Sequence, residues 1–210
     1  MNSILERPTL AALRHGALRE MLANACSTAR IGRQQTRDWE DLETYIADDN
    51  EGRVAVARFV GGACIVAAFS DDPCRDYDIS LAVSQVPPEL GEAAEEIVEL
   101  PIFDGLTAIF WASEGAMTSG EPWHETYSYG GDIFANEFLP DSDWIATCGV
   151  GDYDFSEDLA CRIVEVSARP PVGGATRLHP EDVESMFPAG PFAAQALAEL
   201  YSCGLYKEKA

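Results

Sequence analysis

Between Asp76 and Cys161 the chain contains no lysine and no arginine, although nineteen aspartates and glutamates fall in the same stretch. Residues 1–58, 59–75 and 162–210 each net only −1, so most of the formal charge of −22 belongs to this one segment. A surface that negative repels phosphate backbones and anionic lipid heads, which argues against direct binding of DNA, RNA or a membrane. Adaptation to high salt would acidify the whole surface, so the segregation needs another cause.

Other absences narrow the field further. The longest uncharged apolar run, Phe59 to Phe69, contains a glycine pair and falls well short of the roughly 20 residues that cross a bilayer. The opening MNSILERPTL carries Glu6 and no apolar stretch, so it does not read as a secretory signal, and a cytoplasmic chain is expected. Cys26, Cys64, Cys74, Cys148, Cys161 and Cys203 form no C-x-x-C pair, which speaks against a zinc knuckle or a thioredoxin-like motif. Reduced, mostly buried thiols are expected. No G-x-S-x-G elbow, phosphate loop, H-E-x-x-H or dinucleotide fingerprint occurs, so neither a cofactor nor a metal is expected.

What remains is ordinary globular material: 210 residues, 47% hydrophobic and 24% charged. Apolar spacing predicts a first helix through Leu10, Leu13, Ala17, Leu18, Met21, Leu22 and Ala25, and a second after Thr36 with Trp39, Leu42 and Ile46 on one face. From Arg53 the period changes to two. VAVARFV and ACIVAAF around Gly61-Gly62 predict a hairpin, with a third strand over Asp78 to Ser84. Pro87-Pro88 interrupts, and a helix is predicted over Glu89 to Leu100 with Leu90, Ala94 and Ile97 inward. Further strands are expected at Leu106 to Ala112, Trp123 to Tyr129, Ile133 to Leu139 and Ala160 to Ala168, with Gly130-Gly131 as a second hairpin turn. Arg169 to Gly174 reads as a linker, and Pro180 and Pro191 open two terminal helices, the last closed by Gly204.

The expected class is therefore α+β, a mainly antiparallel sheet of about six or seven strands with helices on one side. Residues 1–168 are expected to form one domain, with helices over 8–46 and a sheet-rich acidic part over 53–168; residues 169–210 form a linker and helical tail.

Three features carry chemical interest. His124, within PWHETYSYGGD, is the histidine best surrounded by acids and aromatics, but its neighbour Glu125 would point to the opposite face of a strand, which makes the two poor joint ligands. Asp152 to Asp158 imitates the start of a calcium loop, with oxygen ligands recurring at alternate positions. It then fails, because Glu157 stands where the sharp turn needs glycine and Ile163 where a bidentate glutamate belongs. The acidic helix is the strongest feature: Glu92, Glu95, Glu96 and Glu99 form a carboxylate row opposite Leu90, Ala94 and Ile97, and no lysine relieves their mutual repulsion.

Together with Asp104, Trp123, Asp132, Asp141, Asp143, Asp152 and Asp154, this row is the candidate partner-binding surface, with carboxylates meeting a cationic protein and aromatics as anchors. The expected function is an acidic interaction module that neutralises a basic partner, in its sharpest form an immunity or inhibitor protein for a cationic toxin such as a nuclease. A chaperone for a secreted effector is a sibling reading. The alternative from another class is a motif-poor enzyme built on carboxylates that raise one another's pKa, using His124 with Asp132, or Asp152 with Asp154, and a divalent ion.

Overall fold

The computed structural model describes residues 7–31, 37–40, 42–71, 76–100, 105–149, 153–169, 178–187 and 190–206. In chain order its elements are α1 (Leu10–Ile31), β1 (Arg37–Trp39), β2 (Thr44–Asp48), β3 (Arg53–Val60), β4 (Ala63–Ser70), α2 (Ile79–Ser84), α3 (Gly91–Val98), β5 (Gly105–Ala112), α4 (Trp123–Ser128), α5 (Asp141–Cys148), α6 (Glu157–Ser167), α7 (Pro180–Met186) and α8 (Ala193–Ser202). Two short 3-10 turns, Pro88–Leu90 and Gly131–Phe134, precede α3 and follow α4. The chain divides into two compact units, one of residues 1–14 and 43–135, the other of residues 15–42 and 136–210.

The first unit is built on four antiparallel strands of the sheet, β2 to β5, neighbours in chain order. The hairpin at Gly61-Gly62 forms as expected: Val60 pairs with Ala63, and Gly61 takes φ +57°, a conformation that favours glycine. The run Ala47 to Gly52 also turns, but between two strands. Asp49 accepts the Glu51 and Arg53 N–H groups while Asn50 and Gly52 take positive φ. Thr44–Asp48 is thus a strand, not the end of a second helix; Tyr45 and Ala47 are buried at strand spacing, which overrides the helical reading of Trp39, Leu42 and Ile46.

Both sheet faces are covered. Val54, Val56, Ile65, Ala67, Phe69, Ile109 and Trp111 lie in one core cluster with Ala82, Leu90, Ala94 and Ile97 of the helical layer α2–α3. On the alternate positions, Phe110 meets Trp123 and Phe134 edge-on, and Tyr45 also contacts Phe134. Every residue of β5 is buried, as a strand covered on both faces requires. Opposite Ala68 and Phe69 the register shifts at Thr107, whose hydroxyl donates to the Ala68 carbonyl at 3.1 Å. Helices on one side only, as the sequence suggested, would have left this second apolar face wet.

Four expected strands, Asp78 to Ser84, Trp123 to Tyr129, Ile133 to Leu139 and Ala160 to Ala168, are helical or turn-like. Asp78 caps α2 by accepting the Leu81 N–H at 2.9 Å, so Asp78 to Ser84 coils despite its period of two. Pro122 precedes α4 over Trp123–Ser128, followed by the turn Gly131–Phe134, and the expected second glycine hairpin is absent. Ser156 caps α6, with Glu157 and Asp158 in its first turn, and Ala160, Ile163 and Val166 are buried at helical spacing. Among the described residues the four antiparallel strands β2 to β5 and the short β1 thus take the place of six or seven, while the α+β class stands. The predicted helix over Glu89 to Leu100 forms as the 3-10 turn and α3, with Leu90, Ala94 and Ile97 inward.

In the second unit α6 packs against α5 and α7. Its α1 residues, from Gly16 to Ala29, are buried on every side rather than along one stripe. Gly16 has a packing reason: a Cβ there would fall 2.0 Å from the Glu137 carbonyl oxygen. Pro180 begins α7, and α8 closes at Gly204 with φ +78°, both as read from the sequence. Of the expected linker, all but Arg169 lies outside the described residues.

Candidate functional site

The carboxylate row forms as the spacing demands. Ala93, Ala94 and Ile97 turn α3 towards the sheet, which leaves Glu92, Glu95, Glu96 and Glu99 exposed on the opposite side. Arg58 on β3 reaches Glu96, with Nη2 3.3 Å from Oε2. Glu92, Glu95 and Glu99 have no ion pair or hydrogen bond among the described residues. Glu92 suits the positive end of the helix dipole, but Glu96 and Glu99 crowd its negative end, where no basic residue stands. The row is therefore a cost to the free chain.

The remaining candidates are dispersed. Trp123 is 6% exposed with its ring against Phe110, so its indole belongs to the core and not to the acidic face. Asp132 receives Arg53 Nη1 at 2.9 Å, while Asp49 takes Arg53 Nε at 2.6 Å. Burial, with the Asp132 charge added, pushes the Tyr127 phenol up. Asp141 is engaged in the second unit; Asp143 and Asp154 are exposed there, Asp154 at φ +48°. Asp104 and Asp152 lie outside the described residues. His124 sits on helix α4, not on a strand, with its side chain 67% exposed and 3.9 Å from Glu125. Among the described residues no group of three histidine, cysteine or acidic side chains could hold a metal ion.

Two polar networks in the second unit escaped the sequence reading. His15 Nε2 lies 2.8 Å from Asp141 Oδ1, which also receives Arg19 Nη1 at 2.6 Å, and Ser167 Oγ lies 3.4 Å from His15 Nδ1. Burial raises the Asp141 carboxyl, but His15 and Arg19 outweigh it and hold the group below the usual aspartate range. An ionised carboxylate only accepts, so His15 Nε2 donates. The three residue types are those of a serine-nucleophile triad. Ser167, however, is 2% exposed and gives its hydroxyl proton to the Val164 carbonyl at 2.9 Å. The network thus ties α1, α5 and α6 together without presenting a nucleophile. Arg19 reinforces it by donating to the Asn136 and Leu139 carbonyls and lying over the Trp144 ring. The spacing of His15 and Arg19, one turn apart, was the available signal.

The second network centres on Asp182, which is fully buried. It accepts from Arg162, from Arg169 at 2.6 Å and from the His179 N–H at 2.8 Å. Glu20, 1% exposed, likewise accepts from Trp144 Nε1 and, at 2.6 Å, from the Tyr153 hydroxyl.

What the exposed row can do chemically is accept lysine or arginine from outside the chain; what the buried networks do is fix helices. No family model matches the chain, and neither a curated protein nor a solved structure matches it.

Proposed function

We propose that this protein is an acidic interaction module that neutralises a basic protein partner, and that its sharpest form is an immunity or inhibitor protein for a cationic toxin such as a nuclease. The observation that carries the reading is the exposed row Glu92, Glu95 and Glu99, without a cationic partner among the described residues, on a helix whose other face is core. Such a row destabilises the free chain and is relieved by an external cation. In a nuclease it would occupy the place of substrate phosphates. Long-range attraction would speed association and make it sensitive to salt. Trp123, Trp111 and Trp144 are core residues, so recognition rests on carboxylates rather than on these indoles.

The test compares the wild-type chain with the triple variant Glu92→Lys, Glu95→Lys, Glu99→Lys in a pull-down from the source lysate at about 50 mM salt, where surface charges are weakly screened. A basic protein retained by the wild type and lost from the variant supports the reading. A protein retained equally by both, or no basic protein with either, contradicts it.

A further inference from the structure

The buried helix α1 carries a polar stripe. Glu20, Asn24 and Ser27 fall at i, i+4 and i+7, one above the other on the same helix face. All three are buried, at 1%, 8% and 4% exposure. The Glu20 carboxylate is satisfied by Trp144 Nε1 and the Tyr153 hydroxyl. Asn24 Nδ2 and Ser27 Oγ, by contrast, have no hydrogen-bond partner among the described residues. Buried amides and hydroxyls are paired in folded chains because leaving one unpaired forfeits its hydration with no return.

The backbone offers Ser27 a partner that it does not take. On the other helices Ser84, Ser128, Ser167, Ser185 and Ser202 each donate to a carbonyl one turn back. Ser27 Oγ makes no such bond, which leaves both its proton and its lone pairs for a partner beyond the backbone of α1.

We propose that Asn24 and Ser27 bind one internal water molecule, which bridges the amide to the hydroxyl. Side chains three residues apart on a helix have Cβ atoms about 5–6 Å apart, a span that one water closes with ordinary hydrogen bonds. Asn24 Nδ2 only donates and Ser27 Oγ does either, so the bridge must accept from the first and pair with the second in either sense. The Glu20 carboxylate one turn away opposes an anion, and the amide N–H groups oppose a cation. Water is neutral, small and satisfies both atoms. The site is independent of the acidic row.

The test reads the wild-type chain by nuclear magnetic resonance. The Asn24 side-chain amide protons, assigned through the backbone, are expected to show cross-relaxation with the water resonance, with the sign of a long-lived bound water. Stability gives a second readout. A water that needs both side chains is released when either is lost, so Ser27→Ala and Asn24→Leu each leave one orphan and should each lower the folding equilibrium constant about fivefold, the worth of about one hydrogen bond. The double variant removes both orphans and should lose far less than the product of the two single losses. A wild-type amide without the cross-relaxation overturns the proposal, as do single variants as stable as the wild type or losses that multiply in the double variant. A small organic molecule released in stoichiometric amount when the purified chain is denatured, and detected by mass spectrometry, overturns water as the ligand.

Discussion

Arg58 on β3 reaches Glu96 on α3 at 3.3 Å, and it is the one cation paired with this helix among the described residues. The pair is half-exposed and worth at most about 1 kcal/mol. It leaves the repulsion among Glu92, Glu95 and Glu99 in place. A helix selected for stability would interleave lysines.

That cost is measurable. Glu95→Lys places a cation three residues from Glu92 and four from Glu99, converting repulsion to attraction at about 0.2–0.5 kcal/mol per pair. The free variant is expected to gain about 0.5–1 kcal/mol in urea unfolding at low salt, with the gain shrinking as salt rises. A variant less stable than the wild type would show that Glu95 has an internal partner.

Asp182 should behave oppositely, because its charge is already compensated inside the chain. Burial raises its carboxyl, yet hydrogen bonds from Arg169 and the His179 N–H, with the Arg169 and Arg162 charges, outweigh this and hold it below the usual aspartate range. Asp182→Asn leaves two arginines without their shared anion and is expected to cost about 3–5 kcal/mol. A carboxyl lowered on folding stabilises above its unfolded pKa of about 4 and loses that contribution as pH falls through the folded value. The gap between wild type and variant should therefore be widest near neutral pH and close on acidification; a gap independent of pH contradicts the assignment.

Gly16 offers a test of the close approach in the second unit. In a solvent-exposed helix, Gly→Ala gains about 1 kcal/mol. Here the added Cβ would meet the Glu137 carbonyl at 2.0 Å, so Gly16→Ala is expected to destabilise by about 1–3 kcal/mol in chemical unfolding. Stabilisation would mean that the segment at Glu137 yields freely.

The thiols divide by burial. Burial pushes the Cys26 and Cys64 thiols far up, and burial with the Glu20 charge pushes Cys148 up to about 12, while Cys203 is 1% exposed. Among the described cysteines only Cys161 is exposed. Brief treatment of the native protein with a thiol reagent, read by peptide mass, should label Cys161 before these four. Early labelling of Cys64 would contradict the covered sheet.

Elements with two concordant signals were legible in the sequence. Gly61-Gly62 between β-rich runs gave the hairpin, and Leu90, Ala94 and Ile97 with a polar outer face gave α3. Short apolar alternations misled wherever a cap competed: Asp78 and Ser156 each start a helix that the side-chain period alone reads as a strand. The candidate surface was legible only where it is local. The α3 row needs one helix, whereas the burial of Trp123 depends on Phe110 of another element, and the capture of Asp132 by Arg53 and Asp141 by Arg19 depends on partners more than 70 residues away in sequence. Pairing Arg53 with Asp132 and Arg19 with Asp141 takes these two acids out of the candidate surface, while Asp143 and Asp154 stay exposed.

The most direct test of a charge-driven interaction is the association rate of the wild-type chain with the basic protein it captures, measured by stopped-flow at about 50 and about 500 mM salt. The account predicts a fall of about tenfold or more on adding salt, and a slow rate at low salt for the charge-reversed variant. A rate that is the same at both salt concentrations and in both proteins would contradict it.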